Sequence, residues 1–237
     1  MQIKIFKDNE AVAVAFARYF AEWLQDKESV TVALSGGSTP KVLFKHWAKN
    51  YREKISWEKI HFFWGDERCV PPDHPESNYG LTKKLLFDHI TIPEENIHRI
   101  RGEEPPEKEV GRYEEEIRQS VRTEDGLPLF DLIILGMGAD GHTASIFPNQ
   151  MDLLTNLRIC SLATHPNSGQ KRISLTGKVI NKAQLATFLV TGRSKSPVIK
   201  EIMTKTGRWS SYPAAFIAPD QGELVWFLDT EASAELS

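Results

Sequence analysis

Three short segments hold residue types that could do chemistry together. The first runs Leu135-Gly136-Met137-Gly138-Ala139-Asp140-Gly141-His142. Imidazole titrates nearest neutrality, and a carboxylate beside it can fix its tautomer, so Asp140 and His142 suit general-base work on water. A helix is expected to begin at His142, and its N-terminal dipole would keep the ring neutral. The second segment is Gly65-Asp66-Glu67-Arg68. Arg68 could clamp a phosphate or carboxylate, and Asp66 could orient a histidine or handle a proton. Three successive charges are costly to bury, so all three are expected to face a cleft or solvent. The third is Ser35-Gly36-Gly37-Ser38-Thr39-Pro40. Here Gly36 and Gly37 let the backbone approach a ligand, while Ser38 stands at a helix start that offers free N–H groups to a phosphate.

Each segment also has a plain structural explanation: a capped turn, an exposed salt-bridged loop, a surface histidine. The other histidines (His46, His61, His74, His89, His98 and His165) are assigned that ordinary role. His142 stands apart because it follows a glycine-rich strand end. The literal GxGxxG from Gly136 to Gly141 is not read as a dinucleotide fingerprint. Asp140 would oppose the pyrophosphate, and no acidic ribose partner follows about 20 residues later. Neither GxSxG nor HExxH occurs, and the two cysteines form no CxxC. A serine-esterase elbow and a metal site therefore have no support.

Charge is distributed unevenly. The 29 Lys+Arg against 32 Asp+Glu give a net charge of -3, which argues against a dedicated nucleic-acid binder. Residues 153–200 nevertheless contain no Asp or Glu, yet hold Arg158, Lys171, Arg172, Lys178, Lys182, Arg193, Lys195 and Lys200. Such a basic third fits a local site for a small anion, with about half of these side chains simply solvated.

Elements that could position these groups alternate along the chain. Apolar residues at helical spacing mark helices over 9–27, from Pro40 onward, over 110–121 and over 194–205. Short apolar, β-branched runs mark strands at 30–34, 60–64, 132–135, 172–175, 185–190 and 224–228. This is the pattern of an α/β protein with an open, mostly parallel sheet and helices on both faces, expected to form one domain over 1–237. Such sheets bind ligands beyond the C-terminal ends of their strands, where all three segments lie. No leader and no membrane-length apolar run is visible, and the cysteine usage suits a reducing compartment, so a soluble cytoplasmic protein is expected. Oligomeric state is not legible.

Taken together, the segments resemble one family: the 6-phosphogluconolactonases, within the group that includes glucosamine-6-phosphate deaminases. The likeness rests on the glycine-serine segment 35–40, Gly65-Asp66-Glu67-Arg68 with Val70-Pro71, and residues 131–148, together with Ser77-Asn78-Tyr79-Gly80, Arg172-Ile173-Ser174-Leu175-Thr176, Ile180-Asn181, residues 192–195, Tyr212-Pro213-Ala214 and residues 226–229. It spans nearly the whole chain. The resemblance implies hydrolysis of 6-phospho-D-glucono-1,5-lactone without metal or cofactor. His142 would activate water, with Asp140 or Asp66 orienting it and Arg68 or nearby N–H groups at the oxyanion. The phosphate would lie on Gly36, Gly37 and Ser38, neutralised by Arg172 and Lys195. Deaminases carry a glutamate where Ala144-Ser145-Ile146-Phe147-Pro148 has none, and Asp-Glu-Tyr where this chain has Asp66-Glu67-Arg68, so the lactonase is favoured. A non-catalytic sugar-phosphate sensor would need the anion pocket but not His142.

Overall fold

A computed structural model describes residues 1–236. Its framework is a six-stranded sheet made of β1 (Gln2–Phe6), β2 (Val30–Leu34), β3 (Ile60–Trp64), β7 (Leu132–Leu135), β10 (Leu185–Val190) and β11 (Glu223–Asp229). The strand order is β1-β11-β10-β7-β2-β3, and every pairing is parallel. Every residue of β7 and β10 is buried, as continuous apolar runs must be when helices cover both faces. β1 is not among the expected strands. It lies at the sheet edge with Ile3 and Ile5 exposed, so its apolar residues do not mark a buried face.

The helices are α1 (Asn9–Leu24), α2 (Ser38–Asn50), α3 (Asn78–Leu85), α4 (Pro106–Ser120), α5 (Gly177–Lys182) and α6 (Ser196–Thr204). Asp8 caps α1 by accepting from Ala11 N at 2.8 Å, and the helix buries Phe16 and Phe20 against Trp47 of α2. Among the described residues, no helix is long and apolar enough to cross a membrane.

A second, antiparallel sheet joins β4 (Asp66–Arg68) to β9 (Lys171–Leu175) and β8 (Cys160–Thr164). The 172–175 run is thus a strand as expected, but it leaves the parallel sheet. Gly65 makes the handover, donating to Leu34 O and accepting from Leu175 N, both at 2.8 Å. A small hairpin, β5 (Thr123–Glu124) with β6 (Leu127–Pro128), precedes β7. Two sequence expectations need correction. No helix begins at His142: residues 136–150 form turns, with an isolated bridge between Thr143 and Ile146 and Ala144 at φ 48°. Glu67 does not face cleft or solvent; it is 2% exposed.

Candidate active site

β2, β3, β7 and β10 all end at one rim of the sheet, and the segments leaving those four strand ends line one cleft of about 230 Å³. Gly36, Gly37, Ser38, Asp66, Arg68, His142, Arg172 and Lys195 all line it. Asp140 does not; it stands behind His142.

The β2 end supplies the helix start. Gly37 precedes α2 with φ 113°, a conformation other residues rarely adopt. The first turn of α2 carries no acidic residue, which leaves its N-terminal field free for an anion. Gly36 is glycine for a different reason. A methyl there would fall 1.8 Å from Oδ1 of Asn78. Gly36→Ala should therefore displace Asn78 and lower stability by about 1–3 kcal/mol. That corresponds to a Tm drop of roughly 2–12 °C in calorimetry, and an unchanged Tm would show that Asn78 moves aside freely.

The β3 end divides its three charges among three tasks. Asp66 Oδ2 accepts from the Ser145 hydroxyl at 2.6 Å, and Asn78 Nδ2 donates to the Asp66 carbonyl at 2.9 Å. Asp66 therefore braces the cleft wall and does not bond His142. Glu67 accepts from the main-chain N–H groups of Arg68, Asn78 and Tyr79, each at 2.8 Å, and from Ser77 Oγ at 3.1 Å. It holds the start of α3, which is how a buried carboxylate is tolerated. Burial still outweighs those bonds and pushes its pKa up to about 6. Arg68 lines the cleft as Asp66 does, and its Nη1 donates to the Glu76 carbonyl.

After β7 the chain makes a tight turn: Gly141 N donates to Gly138 O at 3.1 Å, and Gly138 N to His142 O at 2.9 Å. The turn sets Nδ1 of His142 2.6 Å from Oδ1 of Asp140. Burial raises the pKa of Asp140, but the bond and the charge of His142 prevail and hold it at about 2. An ionised acceptor at this distance calls for a proton on Nδ1, which leaves Nε2 as the free ring nitrogen. This carboxylate, rather than a helix start, orients the ring. Gly138 makes room for the pair, since a methyl there would sit 2.2 Å from Nδ1 of His142 and 2.3 Å from Oδ1 of Asp140. Because the pKa of Asp140 is depressed on folding, its stabilising contribution is present above its ordinary 3.8 and fades as pH falls through about 2. The stability gap between the wild type and Asp140→Asn should thus be widest above pH 4 and close towards pH 2. A gap independent of pH in denaturant titrations would contradict this.

The cations share a further trait. Arg68 and Arg172 are direct cross-strand partners in β4 and β9, an arrangement that like charges ordinarily avoid. Neither they nor Lys195 has a carboxylate oxygen within 4.0 Å among the described residues. Nε of each arginine is buried without a partner. Burial, then the charge of Arg68, lowers the pKa of Arg172, and burial lowers that of Lys195. Unbalanced positive charge on a cleft wall is what a dianionic ligand would relieve.

Sequence reading missed several side chains here. The Ser35 hydroxyl is buried in the cleft wall without a partner. Thr39 and Thr191 join hydroxyls at 2.8 Å and so tie α2 to the segment bearing Lys195. Phe147 packs on His142 with ring centroids 4.8 Å apart, while Arg172 lies over the same ring at 5.6 Å. Asn78 and Ser145 lie inside the motifs that carry the resemblance, but only the fold shows what they hold. Among the described residues, no cluster of three or more His, Cys, Asp or Glu side chains could hold a metal ion.

Fold and cleft define an α/β protein with a carboxylate-tethered imidazole and a cluster of cations at one end of a parallel sheet. The chain belongs to the family described as glucosamine-6-phosphate isomerases/6-phosphogluconolactonase, whose model matches residues 7–226. It is 52% identical over 217 residues to the 6-phosphogluconolactonase of Haemophilus influenzae, covering 91% of each chain. The crystal structure of 6-phosphogluconolactonase from Thermotoga maritima is similar at a TM-score of 0.82 and 32% identity, over 96% of this chain and 99% of that one. A monomeric glucosamine-6-phosphate deaminase shares the fold at a TM-score of 0.84 and 18% identity, over 99% and 100%.

Proposed function

We propose that the chain hydrolyses 6-phospho-D-glucono-1,5-lactone to 6-phospho-D-gluconate, a step of the oxidative pentose phosphate pathway. One observation carries the mechanism: an imidazole whose Nδ1 lies 2.6 Å from the Asp140 carboxylate, and three cations without carboxylate partners, line the same cleft. Water attacks the lactone carbonyl as His142 Nε2 takes its proton. The tetrahedral intermediate then collapses, the bond from C1 to the ring oxygen breaks, and the imidazolium returns the proton to that oxygen. Asp140 orients the ring and stabilises its charged form. Gly37 and Ser38 at the start of α2, with Arg172 and Lys195, hold the phosphate. Arg68 joins them, because two guanidiniums set side by side are best balanced by one doubly negative group. No step calls for a metal or cofactor.

The lactonase reading is favoured over ring-opening deamination because Ala144-Ser145-Ile146-Phe147-Pro148 offers no carboxylate beside His142, and Ser145 is committed to Asp66. The partner is a small phosphorylated lactone, not nucleic acid. A reducing cytoplasm suits Cys69 and Cys160, which are free thiols. Acid release from freshly made lactone, corrected for spontaneous hydrolysis, tests the reading. Release well above the uncatalysed rate, without ammonia from glucosamine 6-phosphate, is expected. Ammonia release would point to the deaminase, and tight binding with neither product to a sensor.

A further inference from the structure

The turn bearing the base is held from behind by a segment that the mechanism does not use. Gly141, immediately before His142, has φ 80°, and a methyl there would lie 2.5 Å from Cδ1 of Tyr212 and 2.6 Å from its Cβ and Cγ. The tyrosine ring thus rests against the bare Cα of the turn. The main chain clamps the same residue, since Ala214 N donates to Gly141 O at 3.0 Å. Tyr212 is itself held: it is 4% exposed, and its hydroxyl donates to Oε2 of Glu201 at 2.9 Å. Glu201 belongs to α6, the helix that starts directly after Lys195.

We propose that Tyr212 is a positioning residue for the reaction, its ring fixing the 138–142 turn so that His142 and Asp140 keep their geometry beside the cleft. Nothing in Tyr212 needs to touch substrate. A shift of about 1 Å in a catalytic group can cost about a hundredfold in rate, so a buried ring against a glycine suffices to control turnover. The hydroxyl serves to anchor the ring, and α6 gives it a support joined to the Lys195 end of the cleft. The proposal rests on the lactonase reading for its kinetic arm alone.

Tyr212→Leu keeps apolar bulk but loses the ring. It should lower kcat about ten- to a hundredfold while the Kd for 6-phosphogluconate, measured calorimetrically, changes less than about threefold. Tyr212→Phe keeps the ring and should retain kcat within about threefold. The proton shared by Nδ1 of His142 and Asp140 should give a low-field NMR signal that persists in the Phe variant and is broadened or lost in the Leu variant. That arm does not depend on the reaction, so it separates failure of this proposal from failure of the lactonase reading. Should the Leu variant not fold, Gly141→Ala, which presses on the ring from the turn, must produce the same split. Wild-type kcat with an unaltered low-field signal in the Leu variant would overturn the proposal, as would kcat and product affinity falling by the same factor.

Discussion

Replacing His142 by alanine is expected to lower kcat by about 10²–10⁴ while leaving affinity for 6-phosphogluconate nearly unchanged. The magnitude reflects the loss of a positioned base whose Nδ1 proton is committed to Asp140 at 2.6 Å. The selectivity reflects the site's division of labour. The cations and the α2 start lie on other elements, so removing the imidazole leaves the anion cradle intact. Residual hydrolysis should come from substrate held by that cradle with unassisted water. Steady-state kinetics on fresh lactone with a product-binding titration decide the matter. Turnover at the wild-type rate would remove His142 from the mechanism, and parallel loss of affinity would make it a binding residue.

The second large effect is expected at the other end of the substrate. Arg172→Ala and Lys195→Ala should each raise KM about ten- to a hundredfold, with a much smaller change in kcat. A charge-assisted hydrogen bond contributes about 1.5–3 kcal/mol, and every 1.4 kcal/mol is tenfold in affinity. Arg172 has a second consequence: without it, Arg68 no longer faces a like charge across β4 and β9. Arg172→Ala should therefore hold or gain thermal stability even as it loses substrate affinity. Competition by inorganic phosphate measures the cradle alone and should weaken in step with KM. Unchanged KM in both variants would move the phosphate elsewhere in the cleft.

Much of this arrangement is legible in residue order, because central parallel strands announce themselves. The runs at 30–34, 60–64 and 185–190 coincide with β2, β3 and β10. Each breaks into glycine and polar residues at the sheet rim, so the position of the cleft is implied by the fold class. The edge strand β1 is hidden because its isoleucines are exposed rather than buried, the antiparallel β4 because its three residues are all charged, and β8 because it is short and mixed in polarity. The turn at His142 reads as a helix start in sequence, since Gly138 and Gly141 there answer to contacts with His142, Asp140 and Tyr212 that only the folded chain creates. The burial of Glu67 is illegible for a related reason. Burying a carboxylate is costly in general, but the N–H groups at the head of α3 are distant in sequence and cannot be counted from it. The choice between Asp66 and Asp140 beside His142 likewise needs the fold, because Ser145 claims Asp66.

The proposed reaction requires two ends of one small molecule to meet two different chemistries in this cleft. The structure of the protein with 6-phosphogluconate bound measures that directly. The phosphate should lie at the start of α2 against Arg172 and Lys195, with the C1 carboxylate within hydrogen-bond reach, about 2.6–3.2 Å, of Nε2 of His142. A ligand lying the other way round, or with C1 out of reach of that nitrogen, would contradict it.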